Sequence, residues 1–299
     1  MLKSLISIDD LSEAQINQLL KKAQQFELNH HSDQLKGKVV ASLFFEPSTR
    51  TRLSFESAIS YLGGSVIGFA SADTSSQSKG ESLEDTIRAI SQYADAIVIR
   101  HGEAGSASRA QAVSGVPIVN AGDGSNEHPT QTLLDLYSIQ STQGGLEGLN
   151  IALAGDLKYG RTVHSLVKAL TRYRINFTLI ADDYLQLPQD LVKLAQDSGC
   201  QVQFRSSIGQ LDKQDILYMT RVQKERFDDP AKYFEVAGRL KLSLEDLVDT
   251  KETFRVLHPL PRVDEIDLAV DKHPAAYYFE QVRNGLYVRQ ALLYTILNG

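Results

Sequence analysis

Apolar positions along this chain fall into two kinds of pattern. Short β-favouring runs occupy 39–45, 66–69, 96–99, 117–120, 151–154, 177–180, 202–204, 216–219 and 254–257. Between them lie stretches whose apolar residues recur at helical spacing, beginning with an amphipathic segment over about 11–28. Short strands alternating with helical stretches predict parallel α/β layers. The strands form two groups, parted by a helix and the turn-rich Gln143-Gly144-Gly145, so two domains are expected. Their boundaries are set at 1–135 plus 281–299 and at 136–280, with a hinge within 131–149. The last segment, 277–297, repeats apolar residues including Leu286, Leu293 and Leu297 and predicts a long helix packed back on the first domain. The expected fold is thus α/β, as two doubly wound parallel-sheet domains. Repeats, low-complexity tracts and heptad arrays are not found.

Composition narrows the function classes. With 299 residues, 42% hydrophobic and 23% charged, the chain suits about two globular domains of ~100–200 residues each. A formal net charge of -6 argues against a general nucleic-acid binder, which carries a basic face or tail. A single cysteine, Cys200, allows no internal disulfide and no cysteine metal cluster, and a reducing cytoplasm fits it best. Leu5, Ile6 and Ile8 are soon followed by acidic residues, unlike a secretory signal. No apolar run reaches the ~18 residues of a membrane span. A mature, soluble chain is expected, with no membrane partner.

The sharpest chemical signal lies where the first strand ends. Phe44-Phe45-Glu46-Pro47-Ser48-Thr49-Arg50-Thr51-Arg52 leaves an apolar run and opens a helix with the buried stripe Phe55, Ala58, Ile59 and Leu62, closed by Gly63-Gly64. Ser48 is a natural N-cap. A helix start carries partial positive charge and unpaired N–H groups, so acids are favoured there. Arg50 and Arg52 instead cost roughly 0.3–1 kcal/mol each unless an anion sits between them and the helix. Hydroxyls, guanidiniums and free backbone donors together suit phosphate.

Further polar clusters follow other strands, where open α/β sheets hold their ligands. They are Arg100-His101, His128-Pro129-Thr130-Gln131, Gly155–Thr162 with Arg161, Thr220-Arg221-Val222-Gln223 and His258-Pro259-Leu260-Pro261-Arg262. Pro129 suits a first helical position. Five loops bearing arginine or histidine at one topological edge imply a crevice for a substrate with several negative groups. The loop at 155–160 lacks the spacing of a nucleotide or dinucleotide fingerprint, so no cofactor is expected. His30 and His31 are read as surface residues, and Asp182-Asp183 and Asp228-Asp229 as turn or helix-start acids rather than metal ligands.

These segments resemble the catalytic chains of aspartate carbamoyltransferases, most closely over 45–56, 79–86, 120–136, 155–165, 218–225 and 256–265. Ser-Thr-Arg-Thr-Arg is shared by carbamoyltransferases generally. Ornithine enzymes carry a cysteine in a His-Cys-Leu-Pro segment and a Ser-Met-Gly loop. Here the first is His258-Pro259-Leu260-Pro261, and Cys200, Met1 and Met219 stand elsewhere, so aspartate is favoured.

The resemblance implies transfer of the carbamoyl group of carbamoyl phosphate to L-aspartate, a step of pyrimidine biosynthesis. Ser48, Thr49, Arg50 and Thr51, helped by Arg100, would hold the phosphate. Thr51, Arg100 and His128 would contact the carbonyl oxygen, with Gln131 near the carbamoyl amide, and Arg50, Thr51, Arg100 and His128 would be the catalytic set. Arg161 would bind the α-carboxylate of aspartate, and Arg221 with Gln223 its β-carboxylate. Leu260 would orient the amine through its carbonyl, next to a cis bond to Pro261. Ser75 and Lys79 would reach a neighbouring subunit's site across a homotrimer interface. A regulatory chain is left open as a further partner.

Overall fold

The structure, a computed structural model, describes residues 2–71, 80–223, 227, 231, 233, 235 and 240–298. The chain divides into two compact units, Met1–Tyr137 with Val282–Gly299, and Ser138–Gln281. In the first, α1 (Glu13–Leu28), β1 (Val39–Phe44), α2 (Thr49–Tyr61), β2 (Ser65–Phe69), α3 (Leu83–Ile90), β3 (Ala96–His101), α4 (Ser106–Val113) and β4 (Ile118–Asp123) follow in order. Next, α5 (Pro129–Gln143) runs across the unit boundary. The second unit carries β5 (Asn150–Ala154), α6 (Arg161–Leu170), β6 (Asn176–Ile180), α7 (Gln189–Asp197), β7 (Gln201–Arg205), β8 (Ile216–Met219) and β9 (Arg255–Leu257). The closing helix α8 (Tyr278–Asn298) returns most of its length to the first unit.

Both sheets are parallel throughout, with strand orders β2-β1-β3-β4 and β7-β6-β5-β8-β9. Parallel strands joined by crossovers, right-handed as a rule, in an order that reverses direction call for helices on both faces of each sheet. Central strands are therefore buried on both sides and read as unbroken apolar runs. On one face of the first sheet, Leu83, Ile87, Ala107 and Ala110 pack on Ala41, Leu43, Ile97 and Ile99. In the second, Ala152, Ala154, Leu217, Met219 and Val256 meet Leu247, Ile266, Val270 and Tyr278. The β4 edge is covered by the amino-terminal segment, where Leu5 bonds Ile118 and Asn120 at 2.9 and 2.8 Å.

Local chemistry trims the predicted boundaries. The first helix begins at Glu13 rather than Leu11 because Ser12 and Gln15 form a reciprocal capping box. The closing helix buries a broader face than Leu286, Leu293 and Leu297 suggest. Val288, Arg289, Gln290, Ala291, Leu292 and Leu293 are all buried, and Leu286 and Leu297 only half so. His30 is half-buried, its ring set edge-on to Tyr61 at 5.1 Å, so of the histidine pair only His31 is a surface residue. Asp182 caps a short 3-10 turn as expected; Asp228 and Asp229 lie outside the described residues. Among the described residues, no helix is long and apolar enough to cross a membrane.

Candidate active site

In the first unit, strand order reverses between β1 and β3, which is where an open α/β sheet leaves its ligand crevice. β1 feeds α2 at that point, and Phe55, Ala58 and Ile59 anchor the helix beneath. Burying Phe55 alone contributes about 1.5–3 kcal/mol to fixing the helix and hence its amino terminus.

Ser48 occupies the N-cap position, as expected, in extended backbone, but its side chain makes no cap hydrogen bond. That goes against ordinary capping and leaves the hydroxyl and the first-turn N–H groups for a ligand. No acid lies in the first turn. The two arginines there part company. Arg52 reaches along the helix to Glu56 at 3.4 Å. Arg50 has no carboxylate partner among the described residues, and although it is exposed, partial desolvation of its guanidinium lowers its pKa.

Arg100, at the end of β3, is largely buried. Its Nη2 pairs with Glu46 at 2.6 Å and its Nη1 donates to the Ala121 carbonyl at 3.3 Å, while Nε is buried with no hydrogen-bond partner. Burial pushes its pKa down, Glu46 pulls it up, and the charge of Arg50 pushes it down again. Two repelling guanidiniums beside an uncapped helix start are arranged for an anion.

His128 enters from the β4–α5 connection, and its carbonyl accepts from Gln131 and Thr132 to start the helix. Its Nε2 lies 3.5 Å from Thr51 Oγ1 and its Nδ1 3.4 Å from Thr130 Oγ1. Gln131, one turn on, gives Nε2–H to Asp135 at 2.8 Å. The connection is shaped by buried Asp123, which accepts from Gly105, Asn120, Asn126 and Glu127 at 2.9–3.0 Å. The predicted Ser48, Thr49, Arg50, Thr51, Arg100, His128 and Gln131 thus all lie at or just beyond the carboxyl edge of one sheet.

The second unit repeats the arrangement between β5 and β8. Gly155 has φ +112°, and a Cβ there would sit 2.1 Å from the Thr220 carbonyl oxygen, so only glycine lets the two loops approach. Thr220 returns its hydroxyl to the Ala154 carbonyl at 3.0 Å. Asp156, fully buried, accepts from Tyr159 N–H at 2.9 Å and Gln223 N–H at 3.4 Å. Burial raises its pKa despite those bonds and the nearby His164. Asp156 therefore ties the loop that carries Arg161, first residue of α6, to the loop that carries Arg221 and Gln223.

A third loop follows β9. Nδ1 of buried His258 accepts from Leu260 N–H at 2.8 Å, which fixes the proton on Nε2, and Nε2 donates to Glu265 at 2.6 Å. Glu265 also accepts from Val263 and Asp264 N–H at 3.0 and 3.1 Å. Burial alone would raise its pKa, but the bonds from His258 and Val263 hold it below its ordinary value. The scaffold presents Leu260, at φ +51°, and a cis bond to Pro261.

Not every basic residue of the predicted crevice is available to a ligand. His258 serves this scaffold, Arg262 is engaged by Asp271 and Tyr278, and His101 accepts from Glu103 N–H at 3.0 Å beside the Phe45 ring. Ser75 and Lys79 lie outside the described residues. Sequence reasoning assigned no role to Glu46, Asp123, Asp135, Asp156 or Glu265, whose only signal was an acid close to a basic motif.

Two family descriptions match this chain: the carbamoyl-P binding domain of aspartate/ornithine carbamoyltransferase over residues 3–141 and its Asp/Orn binding domain over 147–296. The aspartate carbamoyltransferase catalytic subunit of Thermococcus kodakarensis is 52% identical over 296 residues, covering 97% of this chain and 96% of that one. The catalytic subunit of M. jannaschii aspartate transcarbamoylase superposes with TM-score 0.93 at 47% identity, over 99% of this chain and 98% of the other. The Trypanosoma cruzi enzyme solved with carbamoyl phosphate and aspartate superposes with TM-score 0.92 at 40% identity, covering 99% and 97%. With both domain descriptions matched and such relatives spanning its length, this chain belongs to the aspartate/ornithine carbamoyltransferase family.

Proposed function

We infer that the chain is an aspartate carbamoyltransferase, transferring the carbamoyl group of carbamoyl phosphate to the amine of L-aspartate to give N-carbamoyl-L-aspartate and phosphate. The observation that carries the phosphate end is the start of α2, uncapped by Ser48, without an acid and faced by two mutually repelling arginines. Support for aspartate comes from Arg221 and Gln223 held beside the Arg161 loop, and from proline at position 259.

The first unit is assigned to carbamoyl phosphate. Ser48, Thr49 and Thr51 with the α2 amides and Arg50 cradle the phosphate, and Arg100 leaves Glu46 to join them. Thr51, Arg100 and His128 polarise the carbonyl, His128 as a donor and not a nucleophile, and Gln131 meets the carbamoyl amide. The second unit is assigned to aspartate. Arg161 takes the α-carboxylate, Arg221 and Gln223 the β-carboxylate, and the Leu260 carbonyl beside Pro261 accepts from the amine.

The neutral amine attacks the carbamoyl carbon, a tetrahedral oxyanion forms, and its collapse expels phosphate, which takes up the amine's proton. No covalent enzyme intermediate is needed. Holding both substrates in attack geometry supplies ~7–11 kcal/mol and each good oxyanion donor ~2.7–4 kcal/mol. The assembly is proposed to be a homotrimer in which Ser75 and Lys79 serve a neighbouring site, a role that rests on resemblance alone.

The test is an acceptor screen with carbamoyl phosphate, reading phosphate release and the carbamoylated product, with native mass for the assembly. Aspartate is expected to be the preferred acceptor. A higher rate with ornithine or an acetylated amine overturns the acceptor assignment, and no acceptor-dependent release overturns the activity.

A further inference from the structure

Gln131 is half-buried on the first turn of α5, and one turn on stands the fully buried Asp135. The Gln131 side-chain amide approaches Asp135 Oδ1 at 2.8 Å. A carboxylate oxygen only accepts, so the end held there is the NH2 group and the end left outward is the carbonyl oxygen, Oε1. A side-chain amide with no such partner turns over and offers either end.

Asp135 is itself held. Its charge acts on Arg289 of α8, whose guanidinium is buried over the Phe55 ring at 5.0 Å and donates from Nη1 to Ser54 Oγ at 2.9 Å. Burial pushes the pKa of Arg289 down to about 10, against the pull of Asp135. Room for the guanidinium comes from Gly285, where a Cβ would sit 2.3 Å from Nη1. Burying opposite charges is costly in stability compared with an apolar pair of the same size. The fixed orientation of Gln131 is what such a pair provides that an apolar one does not.

We propose that Asp135 is a specificity-determining positioning residue: by taking the Nε2–H of Gln131 it points Oε1 at the transferred group, so the site accepts an acyl phosphate bearing N–H on its acyl carbon and disfavours one bearing methyl. The proposal rests on the reading that Gln131 meets the acyl group. A carbamoyl NH2 satisfies Oε1. An acetyl methyl leaves it facing carbon, and a site built to bond a substrate N–H rejects analogues that lack it.

The experiment compares kcat/KM for carbamoyl phosphate and for acetyl phosphate, with aspartate as acceptor, in the wild type, Gln131→Ala, Asp135→Ala, Asp135→Asn and Asp135→Leu. Asp135→Ala is expected to lower the carbamoyl-to-acetyl ratio by ~10–100-fold, the range for leaving one polar group unsatisfied. Asp135→Asn, whose Oδ1 still accepts from Gln131, should stay within about threefold of the wild type, and Asp135→Leu, which fills the space but cannot accept, should fall as far as Asp135→Ala, which loss of packing would not predict. The proposal is overturned if Gln131→Ala lowers the ratio while Asp135→Ala does not, or if Asp135→Asn falls as far as Asp135→Ala. A ratio unchanged in Gln131→Ala overturns instead the placement of Gln131 on which the proposal stands. If Asp135→Ala does not fold, hydrogen exchange of the Gln131 side chain in 15N-glutamine wild-type enzyme decides. One protected proton is expected, and two freely exchanging protons overturn the proposal.

Discussion

Replacing Arg50 by alanine separates function from stability in opposite directions. In the free protein the guanidinium sits at the positive pole of α2 with no acid in the first turn, and its charge depresses the pKa of the buried Arg100. Removing a cation from that pole relieves ~0.3–1 kcal/mol, which for a protein of this size raises Tm by about 1–4 °C. On the proposed assignment, the same substitution removes a two-pronged, charge-assisted donor to the departing phosphate. Loss of one such donor costs ~2.7–4 kcal/mol of transition-state stabilisation, a fall in kcat of ~10²–10³. Initial rates of carbamoyl-aspartate formation give kcat, and calorimetry without ligand and with excess inorganic phosphate gives Tm. In the wild type, phosphate at ~100 times its Kd adds about 2.7 kcal/mol, and the variant should lose most of that rise. Arg50→Lys should recover little, because an ammonium cannot make two parallel bonds. Near-normal turnover, or a ligand-free Tm several degrees below wild type, refutes the phosphate cradle and makes Arg50 structural.

Three further outcomes follow from the second unit. Arg221→Ala should raise the aspartate KM at least tenfold and leave the carbamoyl phosphate KM near its wild-type value, since a charged hydrogen bond is worth ~1.5–3 kcal/mol; an unchanged aspartate KM contradicts the assignment. Gly155→Ala places a methyl 2.1 Å from the Thr220 carbonyl at φ +112°, and strain plus overpacking should cost about 2–5 kcal/mol in urea unfolding. A loss below 1 kcal/mol would show that the loops part easily. For Glu265, the folded pKa lies below its ordinary 4.5, so its stabilisation is fully present above that value and is lost as pH falls through the lowered folded value. The stability gap between wild type and Glu265→Gln should therefore be widest above pH 4.5 and close in acid, whereas a constant gap would mean that the variant only repacks.

The central strands β3, β5 and β8 were legible because parallel strands covered on both faces leave apolar runs such as Ala96–Ile99, Ile151–Ala154 and Ile216–Met219, whereas the exposed edge strands β2 and β7 had only β-favouring residues to mark them. Strand ends were not. The runs stop at Ile99 and Asn120, yet β3 and β4 continue to His101 and Asp123, which pair past an irregularity after Ile99. Backbone ladders need no apolar side chain, and here the extension carries Arg100 to the sheet edge beside α2. Helix starts were legible where the cap is local: Ser12 with Gln15 is complete within four residues of sequence. Ser48 looks alike in sequence but behaves differently, because its hydroxyl bonds no helix amide.

The cations of the site were visible, since arginine at a helix start conflicts with its surroundings and the conflict asks for an anion. The groups that aim those cations and amides did not stand out. Glu46 on Arg100, Asp156 between the Arg161 and Arg221 loops, and Glu265 behind His258 are acids in loops that follow strands, where turns also place them, and Asp135 on Gln131 is one polar residue inside a helix. What distinguishes Asp135, Asp156 and Glu265 is burial, and for Asp156 a partner 67 residues away in Gln223. Buried acceptor oxygens have little solvent to turn to, so Asp156 is satisfied only when its two loops hold one relative position, while Asp135 fixes a side chain one turn away on its own helix. A phosphate cradle needs that precision more than it needs additional charge, because the gain from a donor depends on its standing ready where charge develops in the transition state. In the proposed reaction the buried acids contribute by limiting motion, and replacing one by its amide removes the charge while largely preserving volume.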